Sequence, residues 1–372
     1  MNRLSFSQIS KYNQCPRSYR LHYIDKLRER SATAYLAFGS AMDESLNAIL
    51  LDFKKNKSIT CDYKSIFDSK WQTIEINKKK YDLPCCTLVG YAKSDYISEL
   101  LDETDLQFLR AKGEELDVDT RGLTRDGFKE LKEKLEEEKS QRQFKLFDNG
   151  RHSFLNLMNW LSMRRKAHLM LDAYIRNILP EIEEVIEVQK QIELKSECGS
   201  SIIGYIDAVV KFKHREELSV MDNKTASQPY TEDSVKTSQQ LLLYTYALGL
   251  KHAGFAVMLK NIRMNRKKVC IECKFESNSN HKLCNNLDSN GKRCNGAWEE
   301  TVFPEGITQL IKDEIEEQTQ LMVVDNVSEI NEAINAKVFP KNLSTCKNLY
   351  GNPCVYMNLC WKNKADNLEK VE

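Results

Sequence analysis

Two acids and a lysine carry the most pointed chemistry in this sequence. Asp207 lies in SIIGYIDAVVKF (201–212), and Asp222 and Lys224 lie in ELSVMDNKTA (217–226). Both segments read as β-strands, rich in β-branched residues. If they pair, the two carboxylates can face one side and share a hard divalent cation. Mg²⁺ or Mn²⁺ suits such oxygen donors and keeps waters for chemistry. Strand side chains alternate with period two, so Lys224 projects to the same side as Asp222. An ammonium there can hold an attacking water and offset charge developing on a phosphorus centre. The set fits metal-assisted phosphodiester hydrolysis. A surface ion pair between neighbouring strands is the plainer reading of the same residues. Gln240 and Tyr244 follow at i, i+4 on a helical stretch. They share a helix face and can both reach a phosphate or a base; alternatively, Tyr244 packs in the core.

The cysteines form the second constellation. There are 12, and they cluster. Cys270-x2-Cys273 is followed by Cys284-x9-Cys294, similar in spacing to a zinc ribbon. A Cys-x-x-Cys turn gives two thiolates a bite suited to tetrahedral Zn²⁺, although the second pair is looser than the usual spacing. The filling at 277–292 is polar and rich in Asn, so it needs a metal to hold a fold. His281 is a substitute ligand or a loop residue. Lys267, Lys268, Lys274, Lys282, Lys292 and Arg293 surround this segment. They suit a grip on a DNA backbone, or simply the surface of a structural insertion. Cys346-x7-Cys354-x5-Cys360 offers three more thiolates, one short of a closed zinc site or a four-iron cluster. Cys61, Cys85, Cys86 and Cys198 have no partner at ligand spacing and are expected to be ordinary thiols.

The elements that must position these groups follow from the hydrophobic pattern. Residues 5–27 read as a helix capped by Ser5 or Ser7, with a break expected at Pro16. A second helix spans 40–54, with Met42, Leu46, Ile49 and Leu50 on one face. Residues 62–182 look mostly helical and strongly charged. Within them, 131–143 reads as a solvated face, and the RRKAH cluster at 164–168 as solvated surface or a phosphate contact. Strands are expected at 184–194, 201–212 and 217–226, a helix at 234–254 and a fourth strand at 255–264. Three strands, a helix and a strand make a small α/β core.

Composition narrows the classes. The chain has 372 residues, with 55 Lys+Arg against 54 Asp+Glu. Near-zero net charge argues against a polybasic non-specific nucleic-acid binder and confines any DNA-binding patch to local basic segments. No apolar run approaches the length of a membrane-spanning helix, and no signal peptide is expected at the N-terminus. A chain with many cysteines and no secretory signal points to metal more than to disulfides. No Gly-x-x-x-x-Gly-Lys-Ser/Thr signature is present, so any helicase activity must come from a partner.

Several ordered pieces together resemble the RecB-type branch of the PD-(D/E)XK nuclease superfamily. They are LSFSQISKYNQCPRSYRLHYIDKL, FGSAMDESLN, IIGYIDAV, VMDNKTA, QQLLLYTYAL and the C-terminal cysteines, spread over 4–50, 184–260 and 340–361. The resemblance implies a restriction-endonuclease-like α/β fold: a mixed central sheet flanked by helices. On that basis 1–60 forms N-terminal helices of the nuclease domain and 61–182 a helical insertion. The core is 183–265, a zinc-ribbon-like insertion 266–300, and a C-terminal helix and cysteine segment 301–372. It implies Asp207 and Asp222 as metal ligands, with the backbone carbonyl of Asn223, and Lys224 as the catalytic lysine. Gln240 and Tyr244 match the Gln-x-x-x-Tyr motif that contacts DNA. Many members carry a metal-ligating His where this chain has Asp43, which can ligate Mg²⁺ or Mn²⁺ through oxygen. Cys15, in the Cys-Pro-Arg of the first helix, becomes the fourth ligand of a [4Fe–4S] cluster with Cys346, Cys354 and Cys360, stapling the chain ends. The spacing of these three is longer than the usual Cys-x-x-Cys arrangement, so zinc stays the alternative there.

The activity implied is metal-dependent DNA exonuclease action on single strands or duplex ends, in repair, recombination or phage DNA metabolism. A helicase or another recombination protein is the partner implied, and the cytoplasm of a prokaryotic or phage-infected cell the location. A non-cutting DNA-binding or helicase-partner scaffold with the same fold is the alternative. A zinc-ribbon transcription regulator leaves the acidic core unexplained.

Overall fold

The computed structural model describes residues 3–85, 88–90, 101–140, 149–195, 201–277, 281–287, 291–347, 351–365 and 367–371. The chain starts with a short strand, β1 (Arg3–Ser5), which runs into helix α1 (Phe6–Gln14). Ser5 and Gln8 cap α1 reciprocally: the Ser5 hydroxyl accepts from the Gln8 amide, and the Gln8 side chain accepts from the Ser5 amide. The helix stops at Cys15, which is extended (φ −163°, ψ 109°). Pro16 disfavours helical backbone in the residue before it, so the expected break is there. A single turn (Pro16–Tyr19) and a wider π-type turn (Arg20–Ile24) follow.

Helix α2 (Ala34–Asn56) is longer than the 40–54 expected and buries Phe38, Met42, Leu46 and Ile49 along one stripe. The next segment holds helices at Tyr63–Lys70, Glu103–Glu115 and Arg125–Ser140, then the long α3 (Asn149–Asn177). It also holds a small hairpin, Thr73–Ile76 with Lys79–Asp82, that the charged pattern did not announce. Trp71 and Trp160 clasp this region, each indole N–H donating to the other's carbonyl. The RRKAH cluster is not solvated surface. Arg164 and His168 both bind Asp68, and Arg165 binds Asp102 and Asp105. The acids that claim it lie far away in sequence, which is why a local reading places it outside.

The central sheet comprises β2 (Ile182–Lys195), β3 (Ser201–Phe212), β4 (Leu218–Ala226), β5 (His252–Cys270) and β6 (Trp298–Glu314), with helix α4 (Gln239–Leu248) before β5 and α5 (Glu317–Asn335) after β6. The strands lie in the order β2-β3-β4-β5-β6. β4 and β5 are parallel, and the other neighbours in that order are antiparallel. The helix expected over 234–254 is interrupted. Ser238 leaves helical backbone (ψ 105°) and its hydroxyl caps Leu241, so α4 starts afresh there. It ends at Gly249, left-handed at φ 64°, and β5 begins at His252. β6 was not expected at all. Its TVFPEGI segment has weak strand character alone and forms because β5 pairs with it from His252↔Glu314 to Cys270↔Trp298. Gly306 is required in it: a Cβ there would stand 2.3 Å from the Leu169 carbonyl of α3.

The sheet separates two cores. One face packs on α2, α3 and the helical segment, the other on α1, α4 and α5. The chain ends also meet, because Leu368–Lys370 pairs antiparallel with Leu27–Glu29.

Candidate active site and cysteine sites

β2 covers one edge of β3 along its whole length. The other edge is shared. β1 pairs with Ser201–Ile203, and β4 pairs only with Ala208–Lys211. Among the described residues, Gly204 to Asp207 therefore have no ladder partner on that side, and β3 and β4 part like a fork. The acids sit where the fork opens: the last β3–β4 pair is Ala208↔Met221, and the next residues are Asp207 and Asp222. Across the opening, the Asn223 backbone N–H donates to Asp207 Oδ2 at 2.8 Å.

The alternation of β3 slips at this point. Ile202 and Ile206 belong to the core under α4, whereas Ala208, Val210 and Phe212 belong to the opposite core. On the other side β2 is irregular too. Its register passes from Val188↔Ala208 to Lys190↔Ile206, and Gln189 between them is left-handed (φ 51°). That conformation is costly for a residue with a Cβ. It turns the Gln189 amide to Asn47 Oδ1 at 3.1 Å and to Asp43 Oδ1 at 3.4 Å, both on α2.

Asp222 is 1% exposed, and Lys224 Nζ lies 2.5 Å from its Oδ2. The same ammonium donates to Gln240 Oε1 at 3.1 Å, and Gln240 Nε2 donates to the Tyr244 hydroxyl at 3.3 Å. A chain of contacts thus runs from the acid pair to α4. The Tyr244 ring is buried and lies on Gly204, where a Cβ would come within 2.7 Å of Cε1. The core reading of Tyr244 holds for its ring, while its hydroxyl orients Gln240.

Electrostatics follow from this crowding. Burial, then the Asp222 charge, pushes the Asp207 carboxyl up to about 7. Burial also raises Asp222, with Lys224 opposing. Burial works against the Lys224 charge, but Asp222 outweighs it and holds the ammonium above its ordinary value. Asp43 is raised by burial and feels both Asp222 and Lys224, so it belongs to the same electrostatic neighbourhood. Asp222 Oδ2 is buried, and the Lys224 ammonium is its partner. Crowded carboxylates, each raised by burial and two of them facing each other's charge, are a donor set that a hard divalent cation relieves.

A family model described as the PD-(D/E)XK nuclease superfamily matches residues 3–360. The chain belongs to the PD-(D/E)XK nuclease superfamily. Its fold, a mixed sheet flanked by helices, is the one expected of that superfamily. No curated protein matches the chain. Nuclease activity and DNA binding are what membership implies, and Mg²⁺ or Mn²⁺ is what such nucleases use.

Beyond the nuclease core, the β5–β6 hairpin ends in Cys270, Cys273, Cys284 and Cys294. Their sulfurs all lie within 4.8 Å of one another. Among the described residues this is the one group of three or more metal-type side chains that meets this distance; the three carboxylates do not. Sγ–Sγ contacts are 3.5 Å for Cys270 and Cys294 and 3.6 Å for Cys273 and Cys284. Gly296 makes room for them, since a Cβ there would meet Cys270 Sγ at 2.7 Å. The Phe275 backbone N–H and neighbouring thiols draw Cys273 down to about 6. Burial pushes Cys284 up instead, as expected when thiols share one charge-poor space. His281 is exposed and outside the group.

Cys15, Cys346, Cys354 and Cys360 all line one cavity of about 220 Å³, with Lys11, Arg17 and Lys341 at its wall. The Asn342 amide donates to Cys15 Sγ at 3.5 Å. No three of these sulfurs lie within 4.8 Å of one another, in contrast to the hairpin group. Burial raises Cys354 and Cys360. Of the remaining cysteines, Cys61 is half-buried against the helical core. The Cys85 side chain, Cys86 and Cys198 lie outside the described residues.

Three residues of the site escaped the sequence reading. Asn47 follows Asp43 by four positions on α2, a spacing that flags a shared helix face. Gly204 stands three residues before Asp207 and is explained only by the Tyr244 ring above it. Gln189 carries no local signal, because its role depends on an irregular ladder.

Proposed function

We propose that this nuclease-family chain is a divalent-metal-dependent DNA exonuclease of RecB type, hydrolysing phosphodiester bonds at DNA ends in repair, recombination or phage DNA metabolism. The observation that carries the proposal is the fork itself. A buried carboxylate, Asp222, and a half-buried one, Asp207, flank an opening with the Lys224 ammonium beside them.

Asp207 and Asp222, with Asp43 and the Asn223 carbonyl, would hold Mg²⁺ or Mn²⁺. When bound, the ion polarises the phosphate and makes a nucleophile of water near neutral pH. The chain's own groups do the rest. Lys224, held between Asp222 and Gln240, orients the attacking water and offsets charge as the phosphorus becomes five-coordinate. Gln240 and Tyr244, hydrogen-bonded to each other, contact the DNA strand. Gln189 and Asn47 keep Asp43 turned toward the acid pair.

The hairpin tetrad is read as a structural Zn²⁺ site, since four thiols this close suit a single tetrahedral ion. The basic residues around it give the hairpin tip a hold on the DNA backbone. The terminal tetrad is read as a [4Fe–4S] site. A cubane places each thiolate on its own iron, and the four cysteines line one cavity in which no three sulfurs meet as closely as those of the hairpin do. Its role is a staple, because hydrolysis needs no redox step.

A non-cutting scaffold with this fold has no need of a lysine held between an acid and a glutamine, so that contact weighs against it. The test is a metal-titrated assay on end-labelled single- and double-stranded DNA. The proposal expects Mg²⁺- or Mn²⁺-dependent release of short products from ends. DNA that is bound but never shortened, at any metal concentration, points to the scaffold.

A further inference from the structure

Helix α5 has two unlike faces. Gln320, Val327, Ile330 and Ile334 are buried on one stripe, which packs on α1 and α4. The opposite face carries Glu317, Asp325, Glu329 and Glu332, all exposed, around Leu321 and Met322. At 100° per residue these six side chains share an arc of about 140°. Leu321 is 43% exposed and Met322 65%. The helix contains no Lys or Arg, so nothing on it offsets the acids. An acidic face with two large apolar side chains left to water suits a basic partner that is itself partly apolar.

The chain contains such a segment at the tip of the β5–β6 hairpin. Of residues 266–293, seven are Lys or Arg and three are Asp or Glu. Lys274, Lys282 and Arg293 are exposed. Interleaved with them, Ile271, Phe275, Leu283 and Leu287 are 40–56% exposed. A grip on phosphates has no use for that apolar surface. The tip cannot reach the α5 of its own chain. The ladder runs from Cys270↔Trp298 back to His252↔Glu314, just before α5 begins at Glu317. Residues 298 to 314, at about 3.3 Å each, span roughly 50 Å. Even turned straight back, α5 is only about 28 Å long.

We propose that the hairpin tip of one copy docks on the outer face of α5 in a second copy, and that the exchange is reciprocal. Cations of the tip meet the four carboxylates, and Leu321 and Met322 leave water against its apolar side chains. In a two-fold pair each arm reaches the other's helix, and both contacts form together. No arm or helix is then left over to extend the assembly. The proposal is independent of what the acids at the fork do.

The test is sedimentation of the full-length chain over a range of concentrations. It should show a monomer–dimer equilibrium that added salt weakens. Lys282→Glu with Arg293→Glu reverses the arm, and Asp325→Lys with Glu329→Lys reverses the helix. Each variant alone should associate about 100-fold more weakly, because like charges then face each other. Mixed, the two should form a one-to-one dimer near the parent's affinity. The reversed arm meets the reversed helix, and the two unaltered surfaces meet each other. That recovery also shows that both variants are folded. Leu321→Ala with Met322→Ala, two exposed truncations, should weaken the dimer about tenfold. A parent that stays monomeric at every concentration overturns the proposal, as does assembly beyond two copies. So does a dimer indifferent to the reversals or to the truncations. A mixture that stays monomeric while both variants melt with the parent overturns it too, and leaves the tip's cations to the DNA backbone. The nuclease reading stands or falls separately, since no step here measures cleavage.

Discussion

Lys224 Nζ donates to Gln240 Oε1 at 3.1 Å, across the gap between β4 and α4. The same nitrogen is 2.5 Å from Asp222 Oδ2, so the ammonium is fixed from two sides. On the proposed function, Gln240 therefore positions the lysine before any DNA is present. We predict that Gln240→Ala lowers kcat as well as raising KM, by about 10–100-fold in kcat/KM, the range seen when a supporting hydrogen bond is lost. Steady-state kinetics on an end-labelled strand separate the two. A change in KM alone would make Gln240 a DNA contact only.

Gly204 is where β3 admits the Tyr244 ring. Gly204→Ala places a methyl 2.7 Å from Cε1 of a buried ring, which cannot swing away as a surface side chain would. Overpacking of this kind costs about 1–3 kcal/mol. Chemical denaturation should report that loss, and activity should fall as Tyr244 and Gln240 are displaced. A variant as stable and active as the parent would show that the ring moves freely.

Asp207 gives a pH signature. Its pKa in the folded, metal-free chain is raised to about 7, from an ordinary value near 4 in the unfolded chain. Between those values the folded state binds more protons than the unfolded state. Metal-free stability therefore falls as pH rises through that window. Melting temperatures measured in chelator from pH 4 to 8 should decline from this group, and Asp207→Asn should flatten the decline. Metal binding needs the ionised carboxylate, so apparent Mg²⁺ affinity should rise over the same interval. A metal affinity independent of pH between 5 and 8 contradicts this assignment.

The two cysteine groups should separate by element analysis. Anaerobically purified protein is expected to carry about one zinc in the hairpin group and about four irons in the terminal group. Cys273→Ser should lose the zinc and keep the iron. Cys346→Ser should lose the iron and its visible absorbance, and should lower the melting temperature because the chain ends part. A colourless protein without iron would remove the cluster assignment and leave zinc as the candidate for both sites.

Legibility in the sequence tracked how local each feature is. β3 lies where alternating and β-branched residues placed it, at Ser201–Phe212, and the break at Pro16 follows from the proline ring alone. Asp207, Asp222 and Lys224 were readable because two adjacent strands and a two-residue spacing bring them together. β6 was not, since Pro304 and Gly306 weaken its pattern and its partner β5 supplies the order. The Arg164–Asp68 and Arg165–Asp105 pairs were equally hidden, because their partners lie in other helices. Gln189 was the least visible: its left-handed backbone arises from a slip shared by β2 and β3, and neither strand announces it alone.

The most direct measurement is DNA-end cleavage by Lys224→Ala beside the parent chain, in Mg²⁺ and in Mn²⁺. Binding of a labelled strand and the melting temperature are recorded on the same preparations. The side chain is a third exposed and its aliphatic stem can be lost without opening a core. We predict that cleavage disappears while folding and strand binding persist. Cleavage by a well-folded Lys224→Ala protein at the parent rate would contradict the assignment of the fork as the catalytic centre.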